Sequence, residues 1–423
     1  MVHPERPKSG ALRGPEARLA EAVGLARALE LEVRDALVVP LRSVTPATLF
    51  GKGKVEEIRA YRDAHDAAVM VVDDDLTPVQ QRNLERAWDA KVVDRTGLIL
   101  EIFARRARTR EGRLQVELAR LAYERSRLVR TWTHLERQRG GFGFLGGPGE
   151  TQIEADRRML ADRISRLKAE LEEVRRTRGL HRESRKRAPF PTVALVGYTN
   201  AGKSTLFNRL TRADVLAENM LFATLDPTLR MVDLPGGRPA ILSDTVGFIS
   251  DLPHELVEAF RATLEEVQEA DIVLHVRDIA DPESGAQAAD VAAVLSQLDI
   301  DREDPRLLEV WNKIDALDPE RKAEVEAQAG RTPAVAAVSA VTGEGCDALL
   351  ARIAERVDDA PEIEAQVPPG EGGALAWLYA HGRVVRRADE QDGGVRVAVR
   401  LNDQALGRFE RLFPETQLRP AAQ

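Results

Sequence analysis

The feature that most constrains this chain is a glycine-rich motif placed directly after an apolar run. The residues Gly197-Tyr198-Thr199-Asn200-Ala201-Gly202-Lys203-Ser204 match the pattern G-x-x-x-x-G-K-[ST] and follow the run TVALV. Glycines let backbone N–H groups curl around phosphate oxygens, and a following helix adds the positive end of its dipole. The pattern predicts a strand, a phosphate-binding loop and a helix within a doubly wound α/β domain.

The chemistry of this loop assigns roles to its last residues. Lys203 is expected to reach the β- and γ-phosphates of a nucleotide, and the Ser204 hydroxyl to ligate Mg²⁺. The adjoining Thr205 completes the predicted nucleotide-binding loop. Asn200 permits two interpretations, recruitment of K⁺ near the phosphates or bracing of the loop by its amide.

A second motif, Asp244-Thr245-Val246-Gly247, follows the strand-like run PAILS. An acidic residue at a strand end beside a phosphate loop can hold Mg²⁺ through water, and the N–H of Gly247 can contact the γ-phosphate. A threonine between the two motifs is expected to close on Mg²⁺. Thr224 and Thr228 both qualify, and we favour Thr224. We therefore predict that Lys203, Thr224 and Gly247 are catalytic, and that Ser204, Thr224 and Asp244 surround the metal.

Two further motifs predict which base the bound nucleotide carries. Asn312-Lys313-Ile314-Asp315 closes the strand-like run LLEVW, and Ser339-Ala340 follows AVAAV. The Asp315 carboxylate is an acceptor that suits the two adjacent donors of guanine, a pair that adenine lacks. Asn312 and Lys313 are expected to brace the loop and cover the base, while the backbone N–H groups at Ser339-Ala340 face the guanine O6. GTP and GDP are the predicted ligands.

At one position the residue type differs from that found in many GTPases. Phe248 follows Gly247, where a glutamine often orients the attacking water. Because phenylalanine cannot orient water, we predict slow intrinsic hydrolysis that depends on a partner or on another residue.

The remaining segments indicate four domains. Short apolar runs alternate with helical patterns in residues 1–105, which predicts a small parallel α/β subdomain. Two apolar stripes in 106–188 predict a long antiparallel helical hairpin with a glycine-rich tip at 140–149, its second helix opening on a Thr151/Glu154 capping box. Residues 189–360 form the predicted GTPase domain. A Pro/Gly/Glu-rich linker at 361–373 precedes a helix, a hairpin and a final helix in a small α+β domain spanning 361–423.

Charge is distributed unevenly. The whole chain carries −8, which taken alone disfavours a nucleic-acid partner. Between Arg105 and Arg187, however, 23 Lys and Arg stand against 12 Asp and Glu, a local charge of +11. This reverses the inference and makes the hairpin the predicted RNA-binding element, with a solvated charged coiled coil as the alternative. The candidate RNA contacts are Arg105, Arg106, Arg108, Arg110, Phe142, Phe144, Arg157 and Arg158.

Composition excludes other classes of protein. The single cysteine, Cys346, rules out an internal disulfide framework and a cysteine zinc site, and the seven histidines show no ligand spacing. No segment approaches the ~18 apolar residues of a membrane span. The start MVHPERPKSG lacks the apolar core of a secretion signal, so we expect a cytoplasmic location.

Three segments together resemble the HflX family of ribosome-associated GTPases. They are PATLFGKGKVEEI (46–58), GGPGETQIEADRR (146–158), and GYTNAGKSTLFN taken with FATLDPT and DTVGFI. The resemblance implies binding to the large ribosomal subunit and its rRNA, stimulation of GTP hydrolysis by that subunit, and splitting or rescue of stalled or stressed ribosomes. It also implies ATP binding in the N-terminal region, for which Gly51-Lys52-Gly53-Lys54 is a weak candidate and a solvated helix start the alternative. The competing hypotheses are a GTP-gated RNA-binding assembly factor without splitting activity and an ATP-driven RNA remodeller.

Overall fold

The computed structural model contains three β-sheets and a long helical hairpin. The N-terminal domain, the hairpin and the GTPase domain share one hydrophobic core, and the C-terminal sheet has a core of its own. It describes residues 1–6, 13–138, 148–186, 190–213, 221–222, 224–235, 238–251, 264, 266–357, 362–390, 393–401 and 403–420.

The N-terminal sheet is wholly parallel, in the order β2-β1-β3-β4. Its elements are β1 (Val2–Glu5), α1 (Pro15–Ala28), β2 (Leu37–Pro40), α2 (Lys52–His65), β3 (Val69–Val72), α3 (Pro78–Trp88), β4 (Lys91–Asp94) and α4 (Arg95–Arg106). The parallel α/β prediction is confirmed. Thr77 caps α3 in a reciprocal capping box with Gln80, and Pro78 opens the helix. Sequence reasoning did not find β1, α1 or α4.

The hairpin consists of α5 (Arg110–Gln138) and α6 (Pro148–Lys186). Ion pairs from Arg110 to Glu170 and from Arg163 to Glu117 show that the two helices run antiparallel. The expectation that Thr151 opens the second helix is wrong, because α6 begins three residues earlier at Pro148. The seam buries predicted stripe residues, namely Leu114, Leu121, Ile164, Leu167 and Leu171.

The GTPase domain has a six-stranded sheet in the order β10-β9-β8-β5-β7-β6. Its strands are β5 (Thr192–Gly197), β6 (Thr228–Leu234), β7 (Arg238–Asp244), β8 (Ile272–Asp278), β9 (Leu307–Asn312) and β10 (Val335–Ala337). Its helices are α7 (Lys203–Thr211), α8 (Ser284–Ser296), α9 (Pro319–Arg331) and α10 (Cys346–Val357). Only β6 among these strands is antiparallel to its neighbour, and the sequence analysis had not identified it as a strand.

The C-terminal domain is an antiparallel sheet ordered β12-β13-β11-β14 with two helices. Its elements are β11 (Glu362–Val367), α11 (Gly372–His381), β12 (Arg383–Asp389), β13 (Val395–Arg400), α12 (Asp403–Leu412) and β14 (Gln417–Pro420). The linker expectation at 361–373 is therefore wrong in part. The alternating run EIEAQV buries Ile363, Ala365 and Val367 and forms an inner strand of the sheet.

One core crosses the boundary between the N-terminal and GTPase domains. Phe103 of α4 meets Phe222 edge to face, with the ring centroids 4.6 Å apart. A polar contact lies beside this core, where the Asp226 carboxylate accepts hydrogen bonds from the backbone N–H groups of Arg108 and Thr109, at 2.8 and 2.9 Å. The GTPase domain thus supplies the acceptor for the two residues that lead into α5.

Candidate nucleotide-binding site

The phosphate loop joins β5 to α7, as its motif predicts. Gly197 has φ +150°, and a Cβ there would lie 2.2 Å from the Val276 carbonyl oxygen of β8. Gly202 has φ +92°, and its Cβ would lie 2.2 Å from the Asn312 side-chain nitrogen. Both positions accept only glycine, because neighbouring strands approach the loop so closely.

Lys203 lies in the centre of the loop. Its Nζ donates to the carbonyl oxygens of Gly197, at 3.1 Å, and Tyr198, at 2.8 Å. Burial lowers the pKa of Lys203 to about 8, although Asp244 opposes the shift. A cation buried among carbonyl groups is suited to receive an anionic ligand such as a phosphate.

The three residues predicted to surround the metal come together. The Asp244 Oδ2 accepts from the Ser204 hydroxyl at 2.7 Å and from the Thr224 hydroxyl at 2.8 Å. The Ser204 and Thr224 hydroxyl oxygens are 2.9 Å apart. Thr228, the other threonine considered, begins β6. The structure therefore places Thr224 at the predicted metal position.

These oxygen atoms fit Mg²⁺. Among the described residues, Asp244 Oδ1 is a buried oxygen without a hydrogen-bond partner. Burial raises the pKa of Asp244 despite Lys203 and two hydroxyl donors. Hydroxyl and carboxylate oxygens are the donors that Mg²⁺ prefers, so the ion would complete the group.

The Asp244–Gly247 motif is held against the phosphate loop by backbone hydrogen bonds. Thr199 N donates to Phe248 O at 2.7 Å, and Phe248 N donates to Gly197 O at 3.1 Å. A Cβ on Gly247 would lie 3.0 Å from Lys203 Nζ. Gly247 thus faces the lysine, while the Phe248 ring is buried in the interdomain core.

The guanine motif is tied to the phosphate loop through Asn312. Its amide donates to Ala201 O at 2.8 Å, and its side-chain oxygen accepts from Ala340 N at 3.0 Å. One side chain thereby joins the phosphate loop to the Ser339-Ala340 loop. Lys313, with φ +67°, pairs with Asp278 at 2.6 Å, a partner that sequence reasoning missed. Asp315 is exposed in a short 3₁₀ turn and free to meet a ligand edge.

The other predicted residues are dispersed. Asn200 is exposed with φ +60°, a conformation that asparagine tolerates well. Gly51 precedes the first turn of α2, and Lys54 there pairs with Glu57 on the surface.

The predicted RNA contacts lie along the hairpin and at its base. Arg105 donates to the Leu29 carbonyl, and Arg158 is exposed on α6. Arg106 and Arg157 are half-buried, and Arg108 and Arg110 are exposed. Phe142 and Phe144 lie outside the described residues.

A second polar cluster was not predicted. The Tyr198 side chain turns away from Lys203, and its hydroxyl contacts Arg13, Glu21 and the Ser250 N–H. No motif marks these positions, because Arg13 and Glu21 are isolated charges far from the loop in sequence.

The geometry defines the class of protein. A phosphate loop, an oxygen cluster suited to Mg²⁺ and an asparagine-braced guanine motif on one parallel sheet edge are the parts of a P-loop GTPase. Comparison with known families then specifies which one. Residues 16–104 match the family model described as GTP-binding GTPase N-terminal, and residues 106–185 match the GTP-binding GTPase middle region. Residues 192–313 match the model described as 50S ribosome-binding GTPase, and residues 324–422 match the HflX C-terminal domain.

The chain belongs to the HflX family of GTPases and hydrolyses GTP to GDP and phosphate. It is 53% identical over 407 residues to GTPase HflX of Magnetococcus marinus, covering 95% of this chain and 93% of the relative. It is 45% identical to GTPase HflX of Escherichia coli, covering 90% and 89%.

Solved structures also match this chain. The chain resembles a GTP-binding protein from Sulfolobus solfataricus in complex with GDP, at 23% identity and a TM-score of 0.44. The match covers 84% of this chain and 99% of that one. Among the described helices, none has the length and apolar character required to cross a bilayer.

Proposed function

We propose that this GTPase binds the large ribosomal subunit in the cytoplasm and uses GTP to split or rescue stalled or stressed ribosomes. The observation that carries the proposal is the contact between the basic hairpin and the GTPase site. Asp226, which accepts hydrogen bonds from the two residues that lead into α5, lies two residues after Thr224. A segment that closes on the nucleotide is thus attached to the segment that carries the RNA-facing charge.

The site residues take the following roles in this proposal. Lys203 neutralises charge that develops on the transferred phosphate, and Ser204, Thr224 and Asp244 are the residues that would hold Mg²⁺. Mg²⁺ screens the phosphate charge when it is bound. Gly247 donates its N–H to the γ-phosphate. Asp315 accepts from guanine, and Ala340 with Ser339 presents N–H groups to its O6.

Phe248 is consistent with slow hydrolysis in the free protein. Its ring is buried in the interdomain core and cannot orient a water. A further group is therefore required at the phosphates, and we propose K⁺ recruited by the exposed Asn200. Faster hydrolysis in KCl than in NaCl, lost in Asn200→Ala, is the expected result. Equal rates in the two salts would contradict the assignment.

Hydrolysis measured against purified large subunits tests the main proposal. We expect kcat to rise steeply until the subunits saturate, and no acceleration at saturation would refute it. Sucrose gradients of intact ribosomes with protein and GTP then separate splitting from the alternative assembly role, which predicts binding to ribosomal precursors without subunit dissociation.

The hairpin arginines provide a second test. Phosphate contacts release counterions, so binding should weaken linearly with the logarithm of salt concentration. Replacing Arg157 and Arg158 together by Gln should reduce that slope by about 1–2. The matched control is Arg59→Gln with Arg86→Gln in the N-terminal domain, which should leave the slope unchanged.

ATP binding in the N-terminal region stays a prediction of the resemblance. ATP turnover retained in Lys203→Met would support a site outside the phosphate loop. Its complete loss would assign all nucleotide turnover to that loop.

A further inference from the structure

Four charged side chains of the N-terminal domain form a buried cluster against the GTPase domain, which we call the clamp: Arg13, Glu21, Asp73 and Arg95. Arg95 donates to Asp73 at 2.6 Å and to Glu21 at 2.6 Å. Arg13 donates to the other Glu21 oxygen at 2.6 Å. The charges balance within the cluster, since two guanidinium groups face two carboxylates.

The clamp is largely buried, and its surroundings favour the ionised form of both carboxylates. The side chains of Asp73 and Arg95 are 2% and 5% exposed, and those of Glu21 and Arg13 are 6% and 9% exposed. Burial acts to raise the pKa of both carboxyl groups, but Arg95 and Arg13 hold the pKa of Glu21 below its ordinary value. His3 and Arg95 lower the pKa of Asp73 in the same way. His3 adds a hydrogen bond to Asp73 at 2.8 Å.

The clamp reaches the GTPase domain at Ser250. Arg95 Nη2 donates to the Ser250 carbonyl oxygen at 3.0 Å and to its hydroxyl at 3.1 Å. The Ser250 hydroxyl donates to Glu21 at 2.9 Å. Every polar group of this residue is engaged, because its N–H donates to the Tyr198 hydroxyl at 2.9 Å.

Ser250 lies three residues after Gly247. The intervening Phe248 is paired with Gly197 and Thr199 of the phosphate loop. Residues 247–250 are therefore held on one side by the phosphate loop and on the other by Arg95. The position of this short segment is set jointly by the nucleotide site and by the N-terminal domain.

We propose that Arg95 is a positioning residue for the GTP-bound state: through Ser250 it holds residues 247–250 where the Gly247 N–H meets the γ-phosphate. The proposal rests on the assignment of Gly247 made above. GDP lacks the γ-phosphate, so it gains nothing from an ordered Gly247. A segment that is already ordered lowers the conformational cost of binding GTP alone.

The test measures two affinities for each variant. Fluorescent N-methylanthraniloyl derivatives of GDP and of the non-hydrolysable analogue GMPPNP are titrated with the full chain in the presence of Mg²⁺. Arg95→Met is expected to weaken GMPPNP binding about tenfold and to leave GDP binding within about twofold. A merely structural role would weaken both nucleotides alike.

Arg6→Met is the matched control. Arg6 makes a bidentate pair with Asp74 in the same domain, and its side chain is 51% exposed. It makes none of the hydrogen bonds to Ser250 described above, which come from Arg95, Glu21 and Tyr198. Both affinities should stay at the wild-type values. Thermal unfolding of each variant shows whether Arg95→Met is folded at the temperature of the titration.

Ser250→Ala tests the same proposal if Arg95→Met does not fold. It removes two hydrogen bonds of the hydroxyl and keeps the backbone contacts, so we expect a drop of about threefold for GMPPNP only. An unchanged ratio of the two affinities in folded Arg95→Met, or in Ser250→Ala, overturns the proposal.

Gly247→Ala separates the two assignments. It keeps the backbone N–H but adds a Cβ that would lie 2.9 Å from Thr199 Cγ2 and 3.0 Å from Lys203 Nζ, so the N–H must shift from its place. If this variant binds GMPPNP as well as the wild type does, the position of the Gly247 N–H does not set the affinity and the proposal falls. None of these titrations involves ribosomes, so failure here is distinct from failure of the ribosome proposal.

Discussion

Two buried polar clusters contact the phosphate loop, the clamp through the Tyr198 hydroxyl and the group around Lys203 through carbonyl oxygens, and they differ in how their charges are matched. In the clamp, each carboxylate meets a guanidinium and the pKa of Glu21 and Asp73 is lowered. Around Lys203 the shifts run the other way, since the pKa of Lys203 is lowered and that of Asp244 is raised. Burial dominates there because opposite charges are too few.

The difference distinguishes a structural cluster from a ligand site. Buried ions that the protein itself matches are neutral as a group and hold two domains together. Buried ions that the protein leaves partly unmatched disfavour their own charged forms until a ligand arrives. A phosphate beside Lys203 and Mg²⁺ beside Asp244 would each restore the balance.

The largest expected effect comes from breaking the matched cluster. Arg95→Met leaves Asp73 without its guanidinium and Glu21 with Arg13 alone. We expect a loss of about 3–5 kcal/mol in the free energy of unfolding, measured by urea denaturation without nucleotide. The exposed pair gives the control, because Arg6→Met should cost at most about 1 kcal/mol. Equal losses would show that burial of the clamp is unimportant.

The second largest effect is expected at Lys203, where activity should fall and stability should not. Lys203→Met is expected to lower kcat/KM for GTP by about 10²–10³-fold, because the phosphate loses its main cation. The free energy of unfolding without nucleotide should stay within about 1 kcal/mol of the wild type, because the lysine is poorly matched in the protein. Steady-state hydrolysis and urea denaturation on the same sample check both parts. A loss of stability as large as that of Arg95→Met would remove the distinction between the clusters.

The third effect concerns an exposed carboxylate that acts only on a ligand. Asp315→Asn places an amide against the guanine donors, so GTP affinity should fall about 10–100-fold and the preference over ATP should narrow. Competition binding with GTP and ATP measures it. Stability should not change, since Asp315 is exposed. An unchanged preference for GTP would contradict the base-recognition role.

The smallest effect is one of pH. A carboxylate with a lowered pKa stabilises the fold above its ordinary pKa and loses that contribution as the pH falls. The wild type should therefore lose stability steeply as the pH falls below about 5. Glu21→Gln is expected to be less stable at pH 7 and to have a shallower acid slope. Urea midpoints from pH 7 to pH 3 measure the slope, and an equally steep slope in the variant would mean that Glu21 is not held ionised by the clamp.

The sequence predicted the nucleotide site far better than the clamp, for a physical reason. Phosphate and guanine recognition require fixed residue types at fixed spacings, so Gly197–Ser204 and Asn312–Asp315 are legible as motifs. Glu21, Asp73 and Arg95 are single charges at distant positions in the sequence. Only the folded chain brings Arg95 within 2.6 Å of the carboxylate oxygens of Asp73 and Glu21. Long-range ion pairs leave no local pattern.

Secondary structure shows the same division. Buried parallel strands such as β5 and β8 follow from their apolar runs. The strand β6 has exposed side chains at Arg230 and Met231, and no continuous apolar run indicates it in the sequence. The strand β11 lies where proline, glycine and glutamate suggested a linker, although the alternation of EIEAQV indicates a half-buried strand.

The Asp226 contact has a consequence for how the protein can be divided. Within the first turn of α5, the Gly112 N–H donates to the Thr109 hydroxyl at 2.9 Å. The N–H groups of Arg108 and Thr109, which lead into the helix, instead donate to Asp226, more than a hundred residues later. A fragment cut at 106–188 would keep every residue of both helices and still lack Asp226, with an expected cost of about 1 kcal/mol in the segment that leads into α5. The borders along the chain and the borders in space do not coincide, so the hairpin is complete only as part of the whole molecule.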